Sequence, residues 1–199
     1  MKYLPNPFFN ERFVFDRSNV KKRSILWVRA FTGIYNPDLA VKTLSEVINI
    51  YPDATLTMVG PDMGLLVETE KLIEQLRLTN AVKITGPVPN SKLASYYQTH
   101  EVLINTTSFE SFGVALMEAA SCGVPIVSTN VGEIPFLWKD GTNILLTDGF
   151  EAQQMAAHVI RLFKDEALAR TLPENARRNA QNFSWDNIES GWKEALMIS

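Results

Sequence analysis

The sequence is poor in the residues from which disulfides, metal clusters and membrane spans are built. Of its 199 residues, one is a cysteine and two are histidines, which argues against a disulfide within the chain and against cysteine-based zinc or iron–sulfur sites. No run approaches the roughly eighteen apolar residues of a transmembrane helix. The first residues, MKYLPNPFFNER, bring prolines and charge before a signal-like apolar core could form. We expect a cytoplasmic protein without a transmembrane segment.

The chain also lacks a surplus of charge of either sign. It has 19 Lys and Arg residues against 22 Asp and Glu residues, a formal net charge of −3, so no global field favours nucleic acid or an anionic membrane. Its one basic run, Lys21-Lys22-Arg23, is short and is interpreted as a solvated loop. The 46% hydrophobic content is ample for one packed core.

Two signatures of nucleotide and metal sites are missing. No G-x-G-x-x-G follows the first predicted strand, where RAFTGIYN stands instead, and this argues against a nicotinamide-dependent dehydrogenase. No D-x-D pair occurs in the chain, which fits a site that works without a metal ion. We expect neither a metal nor a cofactor.

What is present is an alternation of short β-rich runs and longer amphipathic runs, typical of βαβ units. The predicted strands lie at 24–30, 54–60, 81–86, 101–106, 124–129 and 143–147, and the predicted helices at 37–50, 64–79, 90–99, 113–121 and 151–164. Several of the strands are almost entirely apolar, as strands covered on both faces must be. The pattern predicts an α/β fold with a single doubly wound, Rossmann-like parallel sheet.

The two ends of the chain differ from this pattern. Residues 1–22 contain prolines and asparagines that predict an extended, linker-like segment, followed by the α/β domain at 23–183. Residues 184–199 predict a C-terminal helix in which Ser184 is a candidate N-cap. That helix carries more apolar surface than a free tail would, so we expect it to pack on something.

The candidate site lies in loops that follow the predicted strands, because open α/β sheets bind ligands beyond the carboxyl ends of their strands. Arg29 ends the first strand, Gly86-Pro87-Val88 follows the third, and SFESFGVALME (108–118) follows the fourth. Backbone N–H groups at the start of a helix in this last stretch would bind a phosphate. Glu110 and Glu118 would flank it and accept hydrogen bonds from ligand hydroxyls. A nucleotide sugar fits this arrangement, because it has hydroxyl-bearing groups on both sides of a diphosphate.

The same stretch carries a family resemblance. Glu110-SFGVALM-Glu118, within TTSFESFGVALMEAASCGVPIVSTNVGEIPFLWKDGTNILL, resembles the E-x7-E signature of the group 1 (family 4) retaining glycosyltransferases, which have the two-domain GT-B fold. YLPNPF resembles their interdomain linker, WVRAF their first strand with its arginine, and FSWDNI their closing helix. The resemblance covers nearly all of this chain but only the C-terminal, donor-binding domain of such an enzyme.

The resemblance implies a role for three charged side chains. Glu118 would bind the ribose hydroxyls, Glu110 would contact the transferred sugar, and Arg29 would place a cation on the diphosphate. Glu110 and Arg29 are therefore the candidate catalytic residues. The family usually has a lysine some six residues after this arginine, and Tyr35 stands in the corresponding run here.

Backbone groups complete the site that the resemblance implies. The amides of Phe112, Gly113 and Val114 would meet the diphosphate, and the backbone at Val88 would read the base. Preorganised amides and an arginine stabilise the charge that grows on a departing nucleoside diphosphate.

The implied partners are a nucleoside-diphosphate sugar and an N-terminal domain that this sequence does not contain. That domain would hold the acceptor, a carbohydrate or a lipid-linked glycan, so the chain alone should not turn over efficiently. It would be a fragment, one chain of a split protein, or a relic that only binds nucleotide. Two other functions stay open: a sugar-nucleotide epimerase of the same two-domain fold, and a non-catalytic nucleotide-sugar-binding or interaction module.

Overall fold

A computed structural model describes residues 4–8 and 11–197 of the chain. Six parallel strands form one sheet in the order β3-β2-β1-β4-β5-β6. The strands are β1 Lys21–Val28, β2 Thr55–Val59, β3 Val82–Gly86, β4 His100–Asn105, β5 Ile126–Thr129 and β6 Leu145–Thr147. The predicted α/β fold is confirmed, because the order reverses between β1 and β4 as in a doubly wound sheet.

Helices connect and flank these strands. They are α1 Pro37–Ile48, α2 Leu66–Gln75, α3 Asn90–Thr99, α4 Val114–Ser121, α5 Ile134–Leu137, α6 Ala152–Lys164, α7 Glu166–Gln181 and α8 Trp185–Leu196, with a 3-10 turn at Gly33–Tyr35. Within the described residues, no helix combines the length and the apolar character that a membrane crossing requires.

Both faces of the sheet are covered, which explains why the strands read as continuous apolar runs. Successive residues of β1 point to opposite sides: Leu26 joins a cluster with α4 and α7, whereas Ile25 and Trp27 join a cluster with α1 and α6. All three side chains are fully buried. Because both faces of the sheet are packed against helices, polar side chains that bind a ligand have room only at the ends of the strands.

The sequence patterns missed one long helix, α7. Its buried stripe consists of Leu172, Pro173, Ala176 and Ala180. The helix has few large apolar residues and contains an internal proline, which explains the omission. Its N-cap is Asp165, whose carboxylate accepts a hydrogen bond of 2.9 Å from the amide of Leu168.

The N-terminal segment, predicted as a linker over 1–22, lies along the domain. The amide of Phe8 donates to the carbonyl of Phe183 at 2.8 Å, and Nε1 of Trp192 donates to the carbonyl of Pro5 at 2.9 Å. These bonds hold the segment against α8, so each terminal segment covers part of the other.

The basic run Lys21-Lys22-Arg23 belongs to the first strand, and its interpretation as a solvated loop was wrong. β1 begins at Lys21, two residues before the predicted start of the domain. Before it, the guanidinium of Arg17 donates to the carbonyls of Tyr97, His100 and Glu101 at 3.1, 2.7 and 3.3 Å. The end of the N-terminal segment is therefore tied to the junction of α3 and β4.

Candidate functional site

Arg29 follows β1 directly and lies at the carboxyl edge of the sheet. Its backbone amide donates to the carbonyl of Val59 at 3.0 Å, which continues the pairing with β2. Its Nε donates to Oδ1 of Asn105 at 3.1 Å, and Nδ2 of Asn105 donates to Oγ of Ser128 at 2.9 Å. The guanidinium is thus positioned by the ends of three neighbouring strands, β1, β4 and β5.

The two candidate catalytic residues contact each other. Nη2 of Arg29 donates to Oε2 of Glu110 at 2.6 Å, and the two side chains are only 11% and 13% exposed. The ring of Tyr35 packs on the same guanidinium, 5.1 Å from its centroid to the Cζ atom. Nη1 of Arg29 has no acceptor within residues 4–8 and 11–197, so its N–H groups remain available to a ligand.

The loop before α4 presents fewer free amides than the sequence predicted. Oε1 of Glu110 accepts hydrogen bonds from the amides of Ser111 at 3.1 Å and Phe112 at 3.4 Å. The expectation that the Phe112 amide is free was wrong, because the carboxylate next to it supplies an acceptor. The amides of 113–115 meet no acceptor in the described chain, as expected for the first turn of a helix.

Two glycines allow this loop to adopt its shape. Gly113 is the N-cap of α4 with φ 78° and ψ 55°, the left-handed region that favours glycine. Gly132 has φ 56°, and a Cβ atom built on it would lie 2.0 Å from the carbonyl oxygen of Glu110. The neighbouring amide of Glu133 donates to that same oxygen at 2.9 Å. The backbone of Glu110 is therefore fixed by the loop after β5.

Glu118 is held by a residue that sequence reasoning missed. The hydroxyl of Tyr97 donates to Oε2 of Glu118 at 2.7 Å, and the ring of Phe13 meets that of Tyr97 edge-on at 5.9 Å. Burial raises the pKa of the Glu118 carboxyl above its ordinary 4.5, while the hydrogen bond from Tyr97 and the charge of Arg29 act in the opposite direction. One carboxylate oxygen is thus committed to Tyr97, which leaves Oε1 for a ligand.

Two cavities open beside these residues. One, of about 330 Å³, is lined by Arg29, Val88 and apolar side chains that include Leu93. The other, of about 240 Å³, is lined by Glu118 together with Glu11, Arg12, Phe13 and Asn90. The structure therefore brings Arg29, Val88 and Glu110 into one neighbourhood and places Glu118 on a second cavity.

The remaining predicted residues, Phe112 and Val114, contribute in different ways. The ring of Phe112 is buried and packs edge-on against Phe183 at 5.8 Å. Val114 is half exposed, and its amide faces the loop with that of Gly113. Phe13 and Tyr97 could have been found only by asking why a linker would contain an apolar FVF triplet and why the helix at 90–99 would contain a tyrosine pair.

Comparisons with known proteins identify the family of the chain. The sequence profile described as glycosyl transferases group 1 matches residues 9–179. The D-inositol 3-phosphate glycosyltransferase of Acidothermus cellulolyticus is 31% identical over 175 residues, which are 84% of this chain and 39% of that protein. The chain thus spans about two-fifths of the length of this curated relative.

Two crystal structures show the same fold at lower identity. HepE of Anabaena, solved in complex with UDP-glucose, superposes with a TM-score of 0.87 at 22% identity over 98% of this chain and 57% of HepE. The C-terminal domain of the group 1 protein LpcC from Francisella tularensis superposes with a TM-score of 0.77 at 17% identity, over 88% of this chain and 97% of that domain. The chain belongs to the glycosyl transferases group 1 and corresponds to one part of such a protein, the part with the fold of a GT-B C-terminal domain.

Proposed function

We propose that this chain is the donor-binding part of a retaining glycosyltransferase that takes a sugar from a nucleoside-diphosphate sugar. The observation that carries the proposal is the convergence of Arg29, Glu110 and the unpaired amides of 113–115 at one edge of the sheet. A guanidinium and the start of a helix together form an anion site. The anion that fits between Glu110 and Glu118 is a diphosphate flanked by hydroxyl-bearing groups.

The proposed donor spans both cavities. The base lies beside Val88 in the apolar cavity, where backbone groups after Gly86 read it. Oε1 of Glu118 accepts from the ribose hydroxyls, and Glu110 faces the transferred sugar. HepE, which shares the fold, was crystallised with UDP-glucose, which supports a nucleotide sugar as the class of donor.

The chemistry that the proposal assigns to these residues is electrostatic. As the bond between the anomeric carbon and the diphosphate breaks, negative charge grows on the leaving oxygen. The Nη1 groups of Arg29 and the amides of 113–115 stabilise it, and each is preorganised by the contacts described above. Because these groups supply the positive charge, the proposed donor site needs no metal ion.

A second lobe completes the proposed enzyme. Exposed apolar side chains follow four of the six strands at the carboxyl edge of the sheet, namely Ile34, Met63, Phe109, Val114 and Phe136. Such a rim of apolar groups is typical of a surface that another domain covers. We place the N-terminal lobe there, with a carbohydrate or lipid-linked glycan as acceptor, and expect negligible transfer from the chain alone.

Titration calorimetry of the chain with UDP, GDP and ADP, each with and without EDTA, tests the donor site. We expect one nucleotide to bind regardless of EDTA, and Glu118→Gln to weaken it, whereas the matched control Glu70→Gln on the exposed face of α2 leaves it unchanged. A folded protein that binds none of the three sinks the site assignment. If EDTA abolishes binding, the proposal of a metal-independent site is wrong, but the site assignment stands.

One observation favours a non-catalytic module as the second candidate function. Arg29 is already paired with Glu110, and its contacts with Asn105 and the ring of Tyr35 add no charge, so the cleft has little positive charge for a diphosphate. Joining the chain to a complete N-terminal lobe and measuring sugar transfer separates the two functions. A two-lobed protein that binds the donor but never transfers the sugar is a binding module.

A further inference from the structure

A second polar cleft lies at the amino end of the sheet, away from the donor site. Its volume is about 480 Å³, larger than either cavity at the carboxyl edge, and it is bounded by the beginnings of β1, β2 and β3 and by one face of α3. Three lysines line it, each from a different element: Lys21 of β1, Lys83 of β3 and Lys92 of α3. No carboxylate is among its lining residues.

The positive charge of the cleft is not neutralised from within the described chain. None of the three lysines forms an ion pair with a residue in 4–8 or 11–197. Near the start of β1, Asp53 pairs with the guanidinium of Arg23, and Glu101 accepts a hydrogen bond from the amide of Arg23. The three lysines therefore line the cleft without an ion-pair partner in the described residues.

The floor of the cleft is polar because β2 alternates between two environments. Leu56 and Met58 point into the core beneath α1 and α2, so Thr55 and Thr57 point to the other side. Thr57 is bonded to His100, whereas the hydroxyl of Thr55 has no hydrogen-bond partner within the part of the chain that the structure describes. This hydroxyl is a donor that a ligand can use.

His100 lies in the floor of the cleft, and both of its ring nitrogens have hydrogen-bond partners. Its Nδ1 lies 2.7 Å from the carbonyl of Tyr96, which can only accept, so Nδ1 holds the proton. Its Nε2 then accepts from the hydroxyl of Thr57 at 2.8 Å. Both nitrogens are occupied, and the burial of the ring together with the nearby lysines lowers its pKa. Besides this ring, the three lysines are the ionisable groups with a positive charge that line the cleft.

We propose that this cleft is a second ligand site, which binds a small, multiply charged anion bearing phosphate groups. Lysine ammonium groups bind phosphate as point charges, and the volume lies within the range of small-molecule sites, roughly 300–1,000 Å³. A neutral sugar or a cation would leave the lysines uncompensated. The cleft between a helix and a sheet admits a small solute, whereas a membrane surface would need the charges on a flat face.

Amide-resolved NMR titration with inorganic pyrophosphate tests this site, with whichever of UDP, GDP and ADP binds the chain held at saturation so that the donor site is occupied. The expected result is a set of shift changes at the beginnings of β1 and β2, in β3 and along α3. A second pair of titrations compares glucose 6-phosphate with glucose, and only the phosphorylated sugar should shift these amides. Shift changes confined to 113–115 would mean that the anion enters the donor site only, and this would overturn the proposal.

Charge-matched variants make the test specific. Replacing Lys21, Lys83 and Lys92 together by alanine should weaken pyrophosphate binding by about tenfold or more, while binding of the donor-site nucleotide stays unchanged. The control replaces Lys22, Lys71 and Lys164, which are exposed lysines outside the cleft, and should retain the affinity for pyrophosphate. Equal losses in both triples would show that net charge alone attracts the anion and would refute the site.

Two milder changes keep the test valid if the triple variant does not fold. Lys83→Ala and Thr55→Val each remove one group that faces the cleft, and each should weaken pyrophosphate binding measurably in a protein with unchanged far-ultraviolet circular dichroism. If neither single change alters the affinity, the cleft is not the site. Binding of UDP, GDP and ADP, measured on the same samples, reports on the donor site separately, so the two proposals fail independently.

Discussion

Glu110 contacts Arg29 with one carboxylate oxygen and the backbone before α4 with the other. Oε2 receives the guanidinium of Arg29 at 2.6 Å, and Oε1 accepts from the amides of Ser111 and Phe112. The ion pair therefore sets the position of the loop as well as the charge at the site. The pair therefore has a structural role and a role in ligand binding, and these can be distinguished by measuring stability and affinity in the same variants.

Breaking the pair from one side should destabilise the protein. Arg29→Met and Glu110→Gln each leave a partner that is buried and uncompensated, and Arg29→Met should lower the free energy of unfolding by about 3 kcal/mol. The double variant should recover part of this loss, because no unpaired charge remains. Urea denaturation of the four proteins measures the coupling energy.

Ligand affinity should follow a different rule across the same four proteins. Both variants with Arg29→Met, including the double variant that regains stability, should lose nucleoside-diphosphate binding, because the Nη1 donors are gone. Recovery of affinity in the double variant would show that Arg29 serves only to position Glu110.

Because the carboxyl of Glu118 is buried, we expect it to lower the stability of the protein at neutral pH while it contributes to nucleotide binding. Burial raises its pKa above 4.5, so the folded protein binds the proton more tightly than the unfolded chain does. The stability contributed by this group is complete below about pH 4.5 and falls as the pH rises through the folded pKa. Glu118→Gln should therefore be more stable than the parent at about pH 7, and the difference should shrink towards acid.

Urea denaturation at a series of pH values checks this expectation, with the control Glu70→Gln, which removes an exposed carboxyl from α2. The same Glu118→Gln protein should bind the nucleotide less well, because an amide group replaces one of the acceptors. A variant that is less stable than the parent at neutral pH would contradict the interpretation of burial as the dominant influence on Glu118.

Tyr97 should influence the pH below which nucleotide binding weakens. Its hydrogen bond lowers the pKa of Glu118 and so partly offsets burial. Tyr97→Phe removes the bond and keeps the ring, so the pKa of Glu118 should rise, and the pH below which nucleotide binding weakens should rise with it. Affinity measured from acid to neutral pH shows the shift, whereas a uniform loss at every pH would assign Tyr97 a merely structural role.

The sequence predicted the sheet and the loops of the site better than it predicted their contacts. Apolar runs identify the strands of a parallel sheet, and the carboxyl ends of parallel strands lie at one edge, so Arg29 and the stretch 108–118 could be assigned to that edge in advance. The ion pair between Arg29 and Glu110 could not, because it depends on side-chain geometry that no periodicity encodes. The amide of Phe112, which the sequence pattern predicted to be free, donates a hydrogen bond to the carboxylate of Glu110.

The N-terminal segment shows the opposite limit. Prolines and asparagines predict an extended chain, but they do not say where it runs. Its described residues pack on α8 and reach Tyr97 through Phe13. Linker composition did not predict the turns at 11–12 and 18–19, and it missed the part that residues 11–13 take in the cavity beside Glu118.

Phe13 should matter for stability as much as a core residue does. Its side chain is 9% exposed and packs on the rings of Phe8 and Tyr97, so Phe13→Ala should cost about 3 kcal/mol of unfolding free energy. The matched control is Phe136→Ala, whose ring is 80% exposed and whose loss should cost less than about 0.5 kcal/mol in the isolated chain. Similar costs for both would mean that the N-terminal segment contributes no more than surface contacts.

Gly113 offers the sharpest test of the anion site at α4, because an added methyl group changes the backbone without changing charge. Its φ of 78° is strained for any other residue, and a Cβ atom would lie 2.9 Å from Cδ1 of Leu116. Gly113→Ala should therefore lower the free energy of unfolding by about 1–2 kcal/mol. Rotation of the amides of 113–115 away from the ligand should also weaken nucleotide binding.

Gly149→Ala is the matched control for Gly113→Ala, since a Cβ atom at Gly149 meets no atom within 4 Å. It should alter neither stability nor affinity. Calorimetric titration with the nucleotide that binds the parent, together with urea denaturation of both variants, separates the two effects of Gly113→Ala. If Gly113→Ala loses stability but keeps full affinity, the amides at the start of α4 do not contact the diphosphate. Arg29 would then be the group that stabilises the charge of the diphosphate.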